Sequence, residues 1–461
     1  METTSGGESL VGRRQPWVQA LWCGLAAFGT YACMYGFRKP FTAGSYDPAI
    51  FGDGFKTLLV TAQVLGYTLS KFIGIKVIAE MLPTRRAWTL LGLIAVAEVA
   101  LVGFALTPAP YSAVFLFFNG LPLGMVFGLV LGFLEGRRLT EAFVAGLCAS
   151  FILADGFTKS VGASLLAAGV SERWMPAVCG LLFALPLVGF VAMLERIPRP
   201  NAEDVAARSE RAPMDAGSRR QFFRKYAPGL LLITLAYLLI TILRSLRADF
   251  APELWRSLGT TGQPAVFTRS ELWVALGVAV INGMACRIRD NRTAFLGSLA
   301  LSGLGLLVLA GALAAFQWGR LEGFTFMVIV GLGLYIPYVA VHATVFERLI
   351  ALTRERGNIG YLMYVADAAG YLGYVAVMLG RRVWSGEGDV LTFFTRISWV
   401  CAWVGLVALM LAAAFFVRRA SVPNQESGEG TPTLLGRLRP VLLSGAILVL
   451  AAVLGRWGRI Y

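Results

Sequence analysis

Charged side chains are scarce in this chain, and histidine is almost absent. Of 461 residues, 15% are Asp, Glu, Lys or Arg, and a single one, His342, is histidine. Soluble domains carry about 25% charged residues, so a surface this poor in charge excludes a water-soluble globule. The six cysteines (Cys23, Cys33, Cys148, Cys179, Cys286 and Cys401) are dispersed and form no CxxC pair. That excludes the usual zinc and disulfide frameworks and leaves them as small apolar filler. HExxH, a Walker loop and a nucleophile elbow are missing as well. An enzyme is therefore not expected, nor a cofactor, nor a metal. A cleavable signal is not expected either: the first apolar block follows Arg13 and Arg14 and is too long for one.

What the chain has in abundance is apolar surface, 57% of residues, with a mean hydropathy of +0.68. It comes in blocks of roughly 18–25 residues, the length that crosses a hydrocarbon core of about 30 Å. The blocks predict twelve spans, near 17–37, 56–79, 87–107, 110–134, 142–168, 174–194, 226–248, 270–286, 293–315, 323–348, 358–380 and 391–417. Backbone polar groups in lipid must be satisfied within the segment, so the spans are helices and the class is all-α, a polytopic membrane protein. The net charge of +14 is topological rather than a nucleic-acid signal. With the N-terminus cytoplasmic, Arg85, Arg86, Arg137, Arg138, Arg219, Arg220, Arg418 and Arg419 fall on one side and far fewer basic residues on the other. The expected location is a bacterial inner membrane. The expected partners are the bilayer and a small anionic solute; the sequence leaves the oligomeric state open, with a monomer among the options.

Residues 195–225, rich in charge, Pro and small side chains, read as a cytoplasmic linker between units 1–194 and 226–420. The two sides repeat. Tyr31 precedes Arg38 by seven, and Tyr237 precedes Arg244 by seven. Glu135 precedes Asp155 by twenty, and Glu347 precedes Asp367 by twenty. Pro122 and Pro337 take comparable places. Parallel six-span halves of this kind describe the major facilitator architecture, two six-helix bundles with the solute between them. Residues 421–461 form a tail whose short apolar block, 441–454, is either a thirteenth span or an interfacial helix.

A charge in the bilayer core costs at least about 2.5–3.5 kcal/mol, so such residues face an interior or a wet cavity. Arg38, Lys39 and Arg244 qualify, with Asp249 five residues after Arg244. Gln63, Tyr67 and Lys71, spaced by four, form a polar stripe on one face of the second span. With Tyr31 and Tyr35 they suggest a basic, aromatic-walled cavity, since guanidinium groups grip oxyanions through paired N–H donors. The plainer reading is that Arg38 and Lys71 snorkel, or pair with Asp155 or Asp367. Asp155 has Lys159 at i+4 and can form a structural ion pair. Asp367 has Tyr371 there instead, and either pairs with a cation on another helix or carries a proton. Glu135 and Glu347, at cytoplasmic helix ends, read as gate residues, and His342 as hydrogen-bonded filler or a proton relay.

The string YACMYGFRKPFTA resembles the first helix of the organophosphate:phosphate antiporters, the family of the glycerol-3-phosphate and hexose-phosphate transporters. GYTLSKFIG is similar to that family's second helix, and Arg244, Asp249 and Pro252 to its seventh. The resemblance implies that Arg38 and Arg244 grip a phosphate, with Tyr67 and Lys71 nearby. Two features depart from it: Asp155 is the nearest candidate where the family has a fifth-span histidine, and IKVIAEMLPTRR is a degenerate form of the Gly-x-x-x-Asp-Arg loop. The expected function is secondary transport of a small organic anion by alternating access, through exchange or proton coupling. The alternative is a transporter-like membrane sensor of such a solute.

Overall fold

The computed structural model describes residues 16–420 apart from 48–49, 51–53, 80, 135–139, 198–215, 261–262, 286–287, 289, 354–358 and 385–388. Glu135, most of the expected linker and the tail with 441–454 lie outside the described residues. Twelve long helices run through the rest. They are α1 (Pro16–Arg38), α2 (Phe55–Ala79), α3 (Arg86–Leu106), α4 (Ala113–Leu134), α5 (Thr140–Ala167), α6 (Met175–Glu195), α7 (Ala216–Asp249), α8 (Ala265–Ala285) and α9 (Asn291–Gln317), followed by α10, α11 and α12. Helix α10 starts as Gly323–Ala340 and passes through a π-helical turn, Val341–Val345, into Phe346–Thr353. The last two are α11 (Ile359–Trp384) and α12 (Val390–Ala420). Helix α7 begins at Ala216, about ten residues before the expected seventh span, so the last part of the linker stretch is helical. A short helix, Ala251–Ser257, follows α7.

Packing repeats with an offset of six helices. In the first half α1 packs on α5 and α6, α2 on α4, and α3 on α4 and α6. In the second half α7 packs on α11 and α12, α8 on α10, and α9 on α10 and α12. The halves meet along two seams, α5 with α8 and α2 with α11, and the same offset exchanges these two pairs. That is the pseudo-two-fold arrangement of two six-helix bundles.

Polarity sorts the helices between lipid and seam. Among the described residues nine stretches are long and apolar enough to cross a membrane, and a shorter apolar stretch covers Val365–Gly380 of α11. Helices α2 and α5 fall outside that set. They carry buried Lys56, Lys71, Asp155 and Lys159, and both are seam helices. On the outer helices large apolar side chains face outward, with Val99 71% and Leu185 81% exposed, a surface that needs lipid.

Helices α2 and α4 touch backbone to backbone through glycine. A Cβ on Gly66 would meet the Phe117 carbonyl, and one on Gly120 the Gln63 carbonyl and the Tyr67 amide. This close approach brings the polar stripe of α2 against α4 and α1. Replacing Gly120 with Leu should lower the melting temperature of the detergent-purified protein by an amount equivalent to about 1–3 kcal/mol of overpacking. Gly92→Leu on α3, where a Cβ meets nothing within 4 Å, should leave it nearly unchanged. Equal effects at the two positions would refute the role given to the α2–α4 contact.

Candidate functional site between the two halves

Helix α1 stops at Arg38, and its last carbonyls have no intrahelical donor. In this interior they are capped from the side. Asn119 of α4, fully buried, donates its Nδ2 to the Phe37 carbonyl at 3.1 Å and to the Ala97 carbonyl of α3 at 3.0 Å. Gln63 of α2 donates to the Arg38 carbonyl at 2.9 Å and to Asn119 Oδ1 at 2.8 Å. One turn on, Tyr67 presents its ring to the same residue, with the Arg38 guanidinium carbon 3.8 Å from its centroid. Adjacent turns of α2 thus hold the backbone and the side chain of Arg38. The third member of the stripe, Lys71, reaches across the α2–α11 seam to Asp367 at 3.1 Å.

Arg244 enters from α7. Its guanidinium carbon lies 4.4 Å from the centre of the Tyr338 ring, and its Nη2 donates to the Tyr371 hydroxyl at 3.3 Å. The Tyr371 ring packs edge-on against Tyr67 at 5.1 Å, and its hydroxyl is within electrostatic reach of both Arg244 and Arg38. Tyrosine from one half and tyrosine from the other therefore stand between two arginines, one from each half. The enclosed cavity is lined by Tyr31, Tyr35, Tyr67, Lys71, Phe127 and Phe151 from the first half, and by Arg244, Tyr338, His342, Asp367 and Tyr371 from the second. Its volume is about 20 Å³, room for a water molecule but not for an organic solute. Arg38 lies behind the Tyr35 and Tyr67 rings rather than in that wall.

A charge inventory separates the two arginines from every other buried cation. Lys39 pairs with Asp249, and lies 3.8 Å from Asp155. Lys159 pairs with Asp155, Lys56 with Glu253 at 2.5 Å, Lys71 with Asp367, and Arg247 with Glu271 at 2.7 Å. Among the described residues Arg38 and Arg244 have no carboxylate partner, and the Nε–H of each meets no acceptor. They are 4% and 6% exposed. Cation–π contact with tyrosine returns about 2 kcal/mol for a desolvated guanidinium, less than the several kcal/mol it costs to strip such an ion of water.

The residues singled out in the sequence thus fall into two groups. Arg244, Tyr31, Tyr35, Tyr67, Lys71 and Asp367 line the cavity, and Arg38 lies behind the tyrosines of its wall. Lys39, Asp155, Lys159 and Asp249 form a second cluster where α1 and α7 end. There Tyr374 also donates to Asp249 at 2.9 Å, and Ser160 of α5 bonds the Pro264 carbonyl at 2.6 Å across the other seam. With the Lys56–Glu253 pair, these contacts tie the two halves together at that face. Lys39 therefore belongs to the seal and not to the cavity wall. Asp155 and Asp367, on helices equivalent by the six-helix offset, are both buried, at 3% and 7% exposed. Asp367 takes its cation from another helix, as the lack of a local one allows. Arg38 does not snorkel. Glu347 is half-buried at the start of the last segment of α10. The sequence reading missed Asn119, Tyr338, Phe127, Phe151 and the Arg247–Glu271 pair. Asn119, an amide in an otherwise apolar span, and Arg247 and Glu271, charges within predicted spans, are the ones with a visible signal.

A model for a family of unknown function, DUF5690, matches residues 40–419. The chain belongs to that family. No curated protein matches it. Among solved structures it is similar to a D-xylose–proton symporter, at TM-score 0.58 and 12% identity, covering 85% of this chain and 97% of the other. A proton:xylose symporter of the major facilitator superfamily bound to 6-bromo-6-deoxy-D-glucose gives TM-score 0.57 and 14% identity, covering 89% and 97%. The fold is that of the major facilitator superfamily, and the identity is too low to carry a substrate.

Asn119→Leu would leave the Phe37 carbonyl, in the last turn of α1, without its donor, at about 1–3 kcal/mol; the Ala97 carbonyl, in mid-helix, keeps its backbone bond. Thermal unfolding in detergent should show that loss. A melting temperature equal to wild type would mean that the amide does not hold the end of α1.

Proposed function

We propose that the chain is a secondary transporter of a small organic anion, working by alternating access between halves 1–194 and 226–420. The observation that carries this reading is the pair of buried arginines, one from each half, that have no carboxylate partner among the described residues. An oxyanion between them would accept from both guanidinium groups and replace the Tyr371 hydroxyl as the partner of Arg244. Because the cavity is nearly filled, the solute enters only when the halves part. Bringing them together costs repulsion between two cations unless an anion lies between them, which ties closure to occupancy.

A phosphorylated solute suits the site best. A phosphate offers oxygens to both guanidinium forks, and the hydroxyls of Tyr31 and Tyr35 lie in the cavity wall within reach of a hydroxylated body. The likeness to xylose symporters supports the carrier reading but not a neutral sugar, for which two uncompensated cations have no use. The resemblance of the α1, α2 and α7 strings to the organophosphate antiporters supports phosphate recognition. In this reading the protein lies in a bacterial inner membrane with its N-terminus cytoplasmic, the face closed by Lys39, Asp249 and Lys56 is extracytoplasmic, and Glu135 and Glu347 serve the opposite gate.

The test is binding and uptake of inorganic phosphate and sugar phosphates by the purified protein in proteoliposomes, with Arg38→Lys and Arg244→Lys. Lysine keeps the charge and loses the fork. Each variant should express and fold, bind about 10- to 100-fold more weakly, as expected for losing a charge-assisted hydrogen bond of about 1.5–3 kcal/mol, and lose uptake. Unchanged affinity in both variants would show that the arginines are structural and the anion reading wrong.

A further inference from the structure

His342 stands between two acceptors. Its Nδ1 lies 3.2 Å from the Tyr338 carbonyl oxygen, one turn back on α10, and its Nε2 lies 3.4 Å from an Asp367 carboxylate oxygen on α11. The other polar neighbour does not relieve this. Tyr237 of α7 is 3.4 Å from each ring nitrogen but donates its proton to the same Asp367 oxygen. From α4 the ring meets only Phe127, edge-on at 6.5 Å. Lys71 of α2 is reached through Asp367, and Arg244 through the Tyr338 ring. A neutral imidazole has one N–H, and an imidazolium has two. The neutral ring therefore leaves a lone pair facing a carbonyl or a carboxylate in a place that is 8% exposed, whereas the charged ring satisfies both acceptors. The residue also sits in the π-helical turn Val341–Val345, an irregularity that recurs at functional sites in helices.

Charge decides when the second proton binds. Lys71 already neutralises Asp367, and Arg38 and Arg244 are uncompensated, so another positive charge adds to an existing excess. A bound anion removes that excess. Proton and anion must then favour each other's binding, because linkage between two sites is reciprocal.

We propose that His342 is a proton-binding site loaded together with the anion, with Asp367 as its counter-ion, so that the solute crosses in company with a proton. The proton comes from water on the side of entry and bonds to the imidazole nitrogen. It leaves to water on the side of exit as the anion departs, which restores the neutral ring. This inference rests on the anion reading above and supplies its coupling ion.

A single histidine in the chain makes the test direct. Protein labelled with ¹⁵N-histidine gives one imidazole to observe, and sulfate serves as an anion with no proton to exchange near neutral pH. Saturating sulfate at pH 7.5 should raise the imidazolium fraction of His342, and calorimetry in two buffers of different ionisation enthalpy should record a matching proton uptake, at most one per sulfate bound. Asp367→Asn should abolish the imidazolium signal, and His342→Gln the proton uptake per sulfate bound. If His342→Gln fails to fold, the wild-type spectrum and Asp367→Asn still decide. Sulfate binding with an unchanged imidazole and no proton uptake would overturn the proton site and leave the anion reading standing. Failure of wild type to bind sulfate would overturn both.

Discussion

Two guanidinium groups held inside a membrane bundle without a carboxylate set the terms for the rest of this structure. A guanidinium at the centre of a bilayer costs at least about 2.5–3.5 kcal/mol, and these two, close to the ends of α1 and α7, are buried away from water. Cation–π contacts with Tyr67 and Tyr338 offset part of that. The other buried cations show that the fold can supply carboxylates where only neutrality is needed. Lys39, Lys56, Lys71, Lys159 and Arg247 each have one. The exception at Arg38 and Arg244 is thus a local arrangement of the cavity and not a general shortage of acids.

The scaffold around them is built to keep these charges in place. Helix α1 ends at Arg38, ahead of Pro40, and Asn119 and Gln63 take over its terminal carbonyls, while Gly66 and Gly120 let α2 and α4 approach closely enough for those amides to reach. The stripe Gln63, Tyr67 and Lys71 then serves three ends: the backbone of Arg38, its side chain, and the second half through Asp367. The cluster of Lys39, Asp155, Lys159 and Asp249 closes the face where α1 and α7 end, so the cavity sits just beneath a seal made by the residues next to its own arginines.

Much of this was legible in the sequence. Apolar block lengths predicted the twelve helices, because the bilayer fixes their length. The Tyr–Arg and acid recurrences predicted the six-helix offset, because charges inside spans are too costly to scatter at random. The spacing by four in α2 placed three polar side chains on one face. What the sequence hid was the pairing of charges across the halves. It could not show that Lys39 belongs to the seal, since Lys39 adjoins Arg38 and only the turn after α1 sends them different ways. Nor could it show that Tyr338 and Tyr371 replace carboxylates beside the arginines, since tyrosines are common in spans and their partners lie more than a hundred residues away in the case of Arg244 and Tyr371. The early start of α7 was hidden by the polar composition of residues 216–225, which a helix projecting beyond the bilayer tolerates.

The central claim is that the space between Arg38 and Arg244 holds an anion. Locating a heavy oxyanion in the protein tests it most directly. Crystals grown with selenate, and diffraction data collected at the selenium edge, would show whether an anomalous peak lies within hydrogen-bonding distance of both guanidinium groups, with the Tyr371 hydroxyl displaced from Arg244. The account predicts that peak, and its loss in Arg38→Lys. Selenate bound elsewhere, with the Arg244–Tyr371 contact intact and the cavity empty at saturating anion, would contradict it.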